Sequence, residues 1–169
     1  MPVVEGDARR QRRCGGDELP ALDGSSAIYC QSLGTCGYAL LGEVQAPDLF
    51  SRVFCVDQGA KIAIGKGGGH WKYLFESGER WPHHQEVDYP DVVANYVTEI
   101  APCRTWGFEE EVPQLLSAGL ARGLDMSKAL VLGSEGYVNP PLFDDEPTRH
   151  KLLDLIGDLY LAGIPIRYL

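Results

Sequence analysis

The chain has 169 residues, of which 44% are hydrophobic and 23% charged, so it can form one domain with its own core. Its net charge of −9 argues against nonspecific nucleic-acid binding, which needs a broad basic surface. No apolar run approaches the roughly 18 residues of a membrane-spanning helix. The N-terminus also lacks the hydrophobic core of a signal peptide, and the sequence therefore predicts a cytoplasmic protein. Its 5 cysteines include no Cys-x-x-Cys pair, which fits reduced thiols better than a disulfide framework or a zinc ribbon.

The N-terminal part predicts a flexible tail and then the start of a helix. Residues 1–17 contain an arginine-rich cluster followed by Cys14-Gly15-Gly16, a composition typical of a flexible segment. Asp23-Gly24-Ser25 predicts a tight turn, with Ser25 or Ser26 as the N-cap of the following helix.

The next stretch predicts strands joined by short loops. Residues 44–64 indicate two strands around a turn at 57–59, and further strands are expected at 71–75 and 86–89. The glycine-rich loop at 65–70 lacks the spacing of a phosphate-binding P-loop, so we exclude that function. Strands that do not alternate regularly with helices favour an α+β fold, a two-layer sandwich of sheet and helix.

His83 and His84 are adjacent and precede the strand predicted at 86–89. Neighbouring residues on a strand point to opposite faces, so two such histidines rarely bind one ion. We therefore interpret them as surface or loop residues.

Aromatic residues and short elements follow. Residues 95–102 predict a strand or a short helix, and 103–108 a buried strand end with aromatic packing. Residues 109–119 predict an amphipathic helix that places Val112, Leu115 and Leu116 on one side and ends at Gly119. Residues 129–132 predict a short apolar strand, followed by a turn.

The clearest helical pattern lies at residues 149–160. Its leucines and isoleucine recur at helical spacing, acidic residues precede it, and Gly163 and Pro165 mark its end. His150 and Asp154 are four residues apart and share one face. An imidazole and a carboxylate in this arrangement can hold two corners of a Zn²⁺ site, whereas the simpler alternative is an ordinary ion pair on a solvated face.

Three segments together resemble one family. The string Asp144 to Gly163 contains H-K-x-x-D-x-x-G-D at His150, Lys151, Asp154, Gly157 and Asp158. The segment E-x-P-x-x-D-G-S occurs at 18–25, and Cys-Arg-Thr-Trp-Gly-Phe at 103–108 stands where the family has A-R-T-F-G-F. These motifs resemble those of the UDP-3-O-acyl-N-acetylglucosamine deacetylases, zinc hydrolases of lipid A biosynthesis.

The resemblance implies a fold and a reaction. The family has two domains, each a sheet covered by helices, with the active site between them. Residues 1–17 would then be a tail, 18–42 the end of the first domain, and 43–169 most of the second, with an insert at about 108–139 that forms a passage for the acyl chain. The implied reaction is hydrolysis of the N-acetyl group of a UDP-linked acylated amino sugar, with release of acetate.

The resemblance also implies roles for residues at the matching positions. His150 and Asp154 would be zinc ligands, Thr105 would stabilise the oxyanion, and Asp158 would orient a catalytic histidine. Substrate contacts would come from the aromatic rings and from cations near the diphosphate, namely Trp106, Phe108, Lys151, Arg104 and Arg149.

Other parts of the family pattern are missing from the sequence. The family's first zinc histidine and its general-base glutamate lie upstream of the segment matched at 18–25, where this chain has no histidine. Its catalytic histidine lies downstream of the zinc helix, and residues 123–128 do not match the family either. We therefore expect a chain that is incomplete and inactive alone, with an unpaired sheet edge that favours self-association. The alternative is a non-catalytic binding or interaction module that retains the fold.

Overall fold

The computed structural model describes residues 26–37, 52–120 and 125–161. Within these ranges the chain is mixed α+β, as the sequence predicts. The domain boundaries predicted at 17 and 42 lie outside the described residues. The elements, in chain order, are α1 (Ser26–Cys36), β1 (Val53–Asp57), β2 (Ala60–Ile64), β3 (Trp71–Glu76), β4 (His84–Tyr89), α2 (Val92–Asn95), β5 (Thr105–Phe108), α3 (Val112–Ser117), β6 (Ala129–Leu132) and α4 (Glu146–Leu161).

Strands β1 and β2 form a hairpin closed by the predicted turn. Asp57 pairs with Ala60, and the two residues between them, Gln58 and Gly59, have φ values of 46° and 91°. Positive φ at both central positions characterises the type I′ turn, whose twist matches that of the flanking strands. Residues 44–51 and Ser25, which also belong to predicted elements, lie outside the described residues.

Strands β3 and β4 form a second antiparallel pair, in which β4 begins two residues earlier than predicted. One face of this pair buries Trp71, Val87 and Tyr89. The other face carries exposed ion pairs, including Lys72 with Glu86 at 2.6 Å. This alternation of buried and exposed residues assigns the inner face to the core.

His83 and His84, predicted as surface or loop residues, are both exposed and lie near different groups. His83 Nδ1 lies 3.2 Å from the carbonyl oxygen of Gly78, whereas His84 Nδ1 lies 3.9 Å from Glu76 Oε1.

The segment after β4 is helical. Asp91 caps α2 by accepting a hydrogen bond from the Ala94 backbone N–H at 3.1 Å. A π-helical turn follows at Tyr96–Ile100 and delivers the fully buried Ile100 into the core. Of the two alternatives predicted for 95–102, the short helix is therefore the one observed.

Strands β5 and β6 pair in parallel, with Thr105 opposite Ala129. Between them, α3 is shorter than predicted because a 3₁₀ turn occupies Glu109–Glu111. Gly119 follows the helix with φ +73°, as its predicted role at the helix end requires. On the predicted apolar side, Val112 and Leu115 are half-buried, whereas Leu116 is 58% exposed.

Helix α4 confirms the predicted helix at 149–160 and begins earlier, at Glu146. The predicted stop at Gly163 lies outside the described residues. Leu152 and Ile156 are buried in one cluster with Trp71, Val92 and Ile100, so α4 packs on the inner face of β3 and β4. Within the described ranges the strands form three two-stranded sheets, and no helix there has the length and apolar content needed to cross a membrane.

Candidate functional site

The predicted metal pair lies on the second and third turns of α4. His150 is 5% exposed, and its Nδ1 lies 3.5 Å from Asp154 Oδ2. Lys151 Nζ donates to the same carboxylate oxygen at 2.9 Å. Burial raises the pKa of Asp154, but hydrogen bonds from His150 and Lys151 outweigh it and hold the pKa below its usual value. The pair therefore presents an imidazole and an ionised carboxylate to one point.

An open concavity of about 670 Å³ lies beside this pair. Asp158 is exposed one turn after Asp154, and both aspartates line the concavity. Tyr96, Leu153 and Tyr160 supply part of its wall. The structure thus brings Asp158 to the same concavity as Asp154.

Trp106 joins β5 to this face of α4. Its indole Nε1–H donates to the carbonyl oxygen of Pro147 at 3.1 Å, and Lys151 Nζ lies 5.8 Å from its ring centroid. Its ring packs edge-on against Phe75 and Phe108, with centroid distances of 5.1 and 5.5 Å. Trp106, Lys151 and Asp154 therefore form one continuous surface, with Phe108 behind the tryptophan.

Thr105 begins β5 and lies immediately before Trp106. Successive side chains of a strand alternate between its faces, so Thr105 and Trp106 point in opposite directions. In the described part of the chain, the hydrogen bonds that join β5 to α4 run from Arg104 and Trp106. An oxyanion role for Thr105 therefore stays a prediction.

Arg104, predicted as a substrate contact, faces inward and is 8% exposed. Its Nε and backbone N–H both donate to Glu146 Oε1 at 2.9 Å, and its Nη2 donates to Glu146 Oε2 at 2.9 Å. The same guanidinium donates to the carbonyl oxygens of Met126 and Pro140, at 3.3 and 2.9 Å. These contacts favour a structural role for Arg104, because its donors are directed at protein acceptors.

Glu146 has no exposed surface, and sequence reasoning gave it no role beyond the acidic start of α4. Besides the bonds from Arg104, its Oε2 accepts from the Leu142 backbone N–H at 2.7 Å. Burial raises the pKa of Glu146, but the hydrogen bonds from Arg104 and Leu142 lower it by more, and the result lies below its usual value.

The lowered pKa of Glu146 predicts that the protein loses stability in acid. The ionised carboxylate contributes stability above the unfolded-state pKa of about 4.3, and this contribution is lost as the pH falls further. We expect the urea midpoint to fall more steeply below that pH in the wild-type chain than in a variant carrying Arg104→Met and Glu146→Leu. Equal slopes for the two proteins would contradict this assignment.

Sequence reasoning also did not predict the side-chain contacts of Thr148 and Arg149 at the start of α4. Thr148 Oγ1 donates to Gln85 Oε1 on β4 at 2.9 Å. Arg149, predicted near the diphosphate, bonds Asp145 at 2.6 Å and Glu99 at 3.0 Å. Thr148 and Gln85 are 63 positions apart and Arg149 and Glu99 are 50 apart, so no spacing rule connects them. Asp145 and Arg149 are four residues apart, a spacing that could have indicated their pairing.

The described residues contain no group of three or more histidine, cysteine, aspartate or glutamate side chains able to hold a metal. His150 and Asp154 fit two corners of a zinc site by donor type and by their shared helix face. A catalytic zinc site normally uses three protein ligands. The residues present therefore fit part of such a site.

Comparisons of the chain with a family model and with individual proteins identify the same family. A model of the family LpxC, UDP-3-O-acyl N-acetylglycosamine deacetylase, matches residues 13–168. Proteins named UDP-3-O-acyl-N-acetylglucosamine deacetylase from Sulfurimonas denitrificans and Nostoc sp. are 38% and 34% identical over 88% of this chain, which covers 52% and 56% of their lengths. The protein of that name from Thermosynechococcus vestitus is 59% identical over 89% of the chain and 53% of its own length. The chain thus spans about half the length of the curated relatives it matches.

Proposed function

The chain belongs to the LpxC family of UDP-3-O-acyl N-acetylglycosamine deacetylases, and we propose that it contributes to a zinc-dependent deacetylase site. The proposed reaction is hydrolysis of the N-acetyl group of UDP-3-O-(3-hydroxyacyl)-N-acetylglucosamine, with release of acetate, in lipid A biosynthesis. The names of the relatives, which describe this chemistry, support the substrate.

One observation carries the proposal. His150 and Asp154 lie on one face of α4 with Nδ1 and Oδ2 3.5 Å apart, so both could ligate one ion after small side-chain rotations. Bound Zn²⁺ would lower the pKa of a coordinated water. The chain's own contribution is to hold the imidazole nearly buried and to keep the carboxylate ionised beside it.

The neighbouring residues suggest how substrate would lie. Lys151 offers a compact positive charge, which suits a phosphate group. Trp106 offers its ring beside Lys151 for the sugar or acyl group. Phe108 is only 6% exposed and the Arg80 guanidinium lies 3.6 Å from its ring centroid, so its contacts favour a role in the core. We retain Thr105 as a donor to the oxyanion and Asp158 as the group that orients a histidine. For Arg104 the contacts with Glu146 support a role inside the fold instead.

Zinc binding tests the metal assignment. We expect the purified chain to bind Zn²⁺ in calorimetry, and His150→Ala or Asp154→Asn to lower the affinity by at least about tenfold, the lower end of the loss caused by removing a group just outside a metal site. His70, just before β3, and Asp88, on β4, form a matched control, since this exposed histidine–aspartate pair has an Nε2–Oδ1 distance of 2.6 Å. Equal losses from His150→Ala and His70→Ala would refute the metal role.

The alternative function is a non-catalytic binding or interaction module that retains the fold. The absence of a third potential ligand beside the pair, within the described residues, favours it. Acetate release from the proposed substrate can exclude the non-catalytic alternative, whereas zinc binding at His150 and Asp154 separates the two functions if no turnover is observed. Robust turnover with one equivalent of zinc would exclude the alternative and would refute the expectation that the chain is inactive alone.

We further propose a cytoplasmic location and self-association through exposed sheet edges and the apolar side chains on them. Free cysteines, among them Cys55 and the buried Cys103, fit a reducing compartment. On β1 the side chains of Phe54 and Val56 are 70% and 69% exposed, which favours contact with another copy or a partner. A clean monomer at high concentration would count against association.

A further inference from the structure

Glu146 connects the two elements that carry the proposed site. Its carboxylate binds the Arg104 backbone N–H, and Arg104 directly precedes Thr105 and Trp106 on β5. Along α4, Glu146 lies one turn before His150. A single buried side chain therefore spans the gap between the strand with the predicted oxyanion donor and the helix with the predicted metal ligands.

The contacts of Glu146 fix both the distance and the orientation of α4 relative to β5. Two donors of Arg104 approach its two oxygens as a planar fork, and backbone N–H groups of Arg104 and Leu142 complete the set. The Trp106 indole adds a second tie one residue further along, at Pro147. Stability alone does not require this arrangement, because apolar residues of similar volume often replace a buried ion pair without loss.

We propose that Glu146 is a positioning residue that sets the register between α4 and β5. It thereby fixes how far the pair of His150 and Asp154 lies from Thr105 and Trp106. This inference rests on the proposed function, since the distance matters only if a metal binds the pair. Catalytic and metal-binding sites depend on supporting contacts that hold their side chains within about 0.5 Å of the positions that the reaction requires.

Cobalt provides the test, because Co²⁺ is paramagnetic and shifts nearby nuclear resonances according to their position. The full chain is titrated with Co²⁺, and the induced shifts of the Trp106 indole N–H and the Thr105 amide are recorded. The double variant Arg104→Met with Glu146→Leu refills the volume without leaving a charge. We expect it to fold and to bind Co²⁺ with wild-type affinity, because both ligands lie on α4. We expect its induced shifts to change on β5 and to be retained within α4.

Asp145→Asn is the matched control, because it removes a carboxylate next to Glu146 that bonds Arg149 on the same helix. It should leave the shifts on β5 at their wild-type values. Unchanged shifts in the folded double variant would overturn the positioning role and leave the proposed function standing. If the double variant does not fold, Arg104→Lys replaces it, since it keeps the backbone bond and loses the fork; unchanged shifts there would equally overturn the inference.

Failure of the proposed function gives a different result. The wild-type chain would then bind no Co²⁺ at His150 and Asp154, whatever happens at Glu146. The position of α4 relative to β5 would still be measurable from magnetisation transfer between the Trp106 ring and the Lys151 side chain, whose Nζ lies 5.8 Å from the ring centroid. Loss of that transfer in the double variant supports the positioning role, and its retention overturns it.

Discussion

Replacing Glu146 with leucine while Arg104 is kept should lower the free energy of unfolding by about 3–5 kcal/mol. The guanidinium of Arg104 is nearly buried and would lose its carboxylate partner, and the Leu142 backbone N–H would lose its acceptor. A domain of this size typically has a total stability of about 5–15 kcal/mol, so much of the chain would unfold under mild denaturant. Urea denaturation followed by tryptophan fluorescence measures the change.

Two other variants isolate the cause. Adding Arg104→Met to Glu146→Leu should recover most of the lost stability, because no unpaired charge then stays buried. Glu86→Leu makes the same substitution in an exposed pair with Lys72, where we expect a loss below about 1 kcal/mol. If Glu146→Leu lowers the free energy of unfolding by no more than Glu86→Leu does, the buried pair of Arg104 and Glu146 does not stabilise the fold as its contacts indicate.

The elements found correctly from sequence are those specified by neighbouring residues. The periodic leucines of α4 and the four-residue spacing of His150 and Asp154 are local patterns, and the structure has both residues on one helical face. The turn between β1 and β2 was equally predictable, because Gly59 at the second turn position readily adopts positive φ.

The contacts that place the site had no such local signal. Arg104 and Glu146 are 42 positions apart, and each belongs to a residue type that is usually exposed. Sequence reasoning therefore assigned Arg104 to substrate and Glu146 to the helix N-terminus. Only the three-dimensional packing of β5 against α4 brings the two together and gives the pair its role.

The same limit applies to burial at α3. The apolar spacing of Val112, Leu115 and Leu116 predicts that they share one side of the helix, but burial of that side also requires an opposing surface. In the described residues α3 has six residues after a 3₁₀ turn, and Leu116 is largely exposed. Periodicity indicates which side chains share a face, whereas burial depends on what lies against that face.

Truncating Leu152 to alanine should destabilise the protein by about 2–5 kcal/mol, the cost of a cavity in a packed core. Leu152 is fully buried on the inner face of α4, in the cluster that includes Trp71, Val92 and Ile100. Denaturation in urea measures the loss, and Leu152→Met, which nearly conserves volume, should cost less than about 1.5 kcal/mol.

The effect of Leu152→Ala on zinc affinity shows whether the core residue acts only on folding stability or also on the metal pair. His150 and Asp154 lie on the same helix as Leu152 and keep their four-residue spacing whenever α4 is folded. Zinc affinity should therefore fall only in proportion to the folded fraction, and saturating zinc should raise the urea midpoint of the variant by linkage. A variant that is fully folded yet binds zinc far more weakly than wild type would show that the core beneath α4 shapes the metal pair directly.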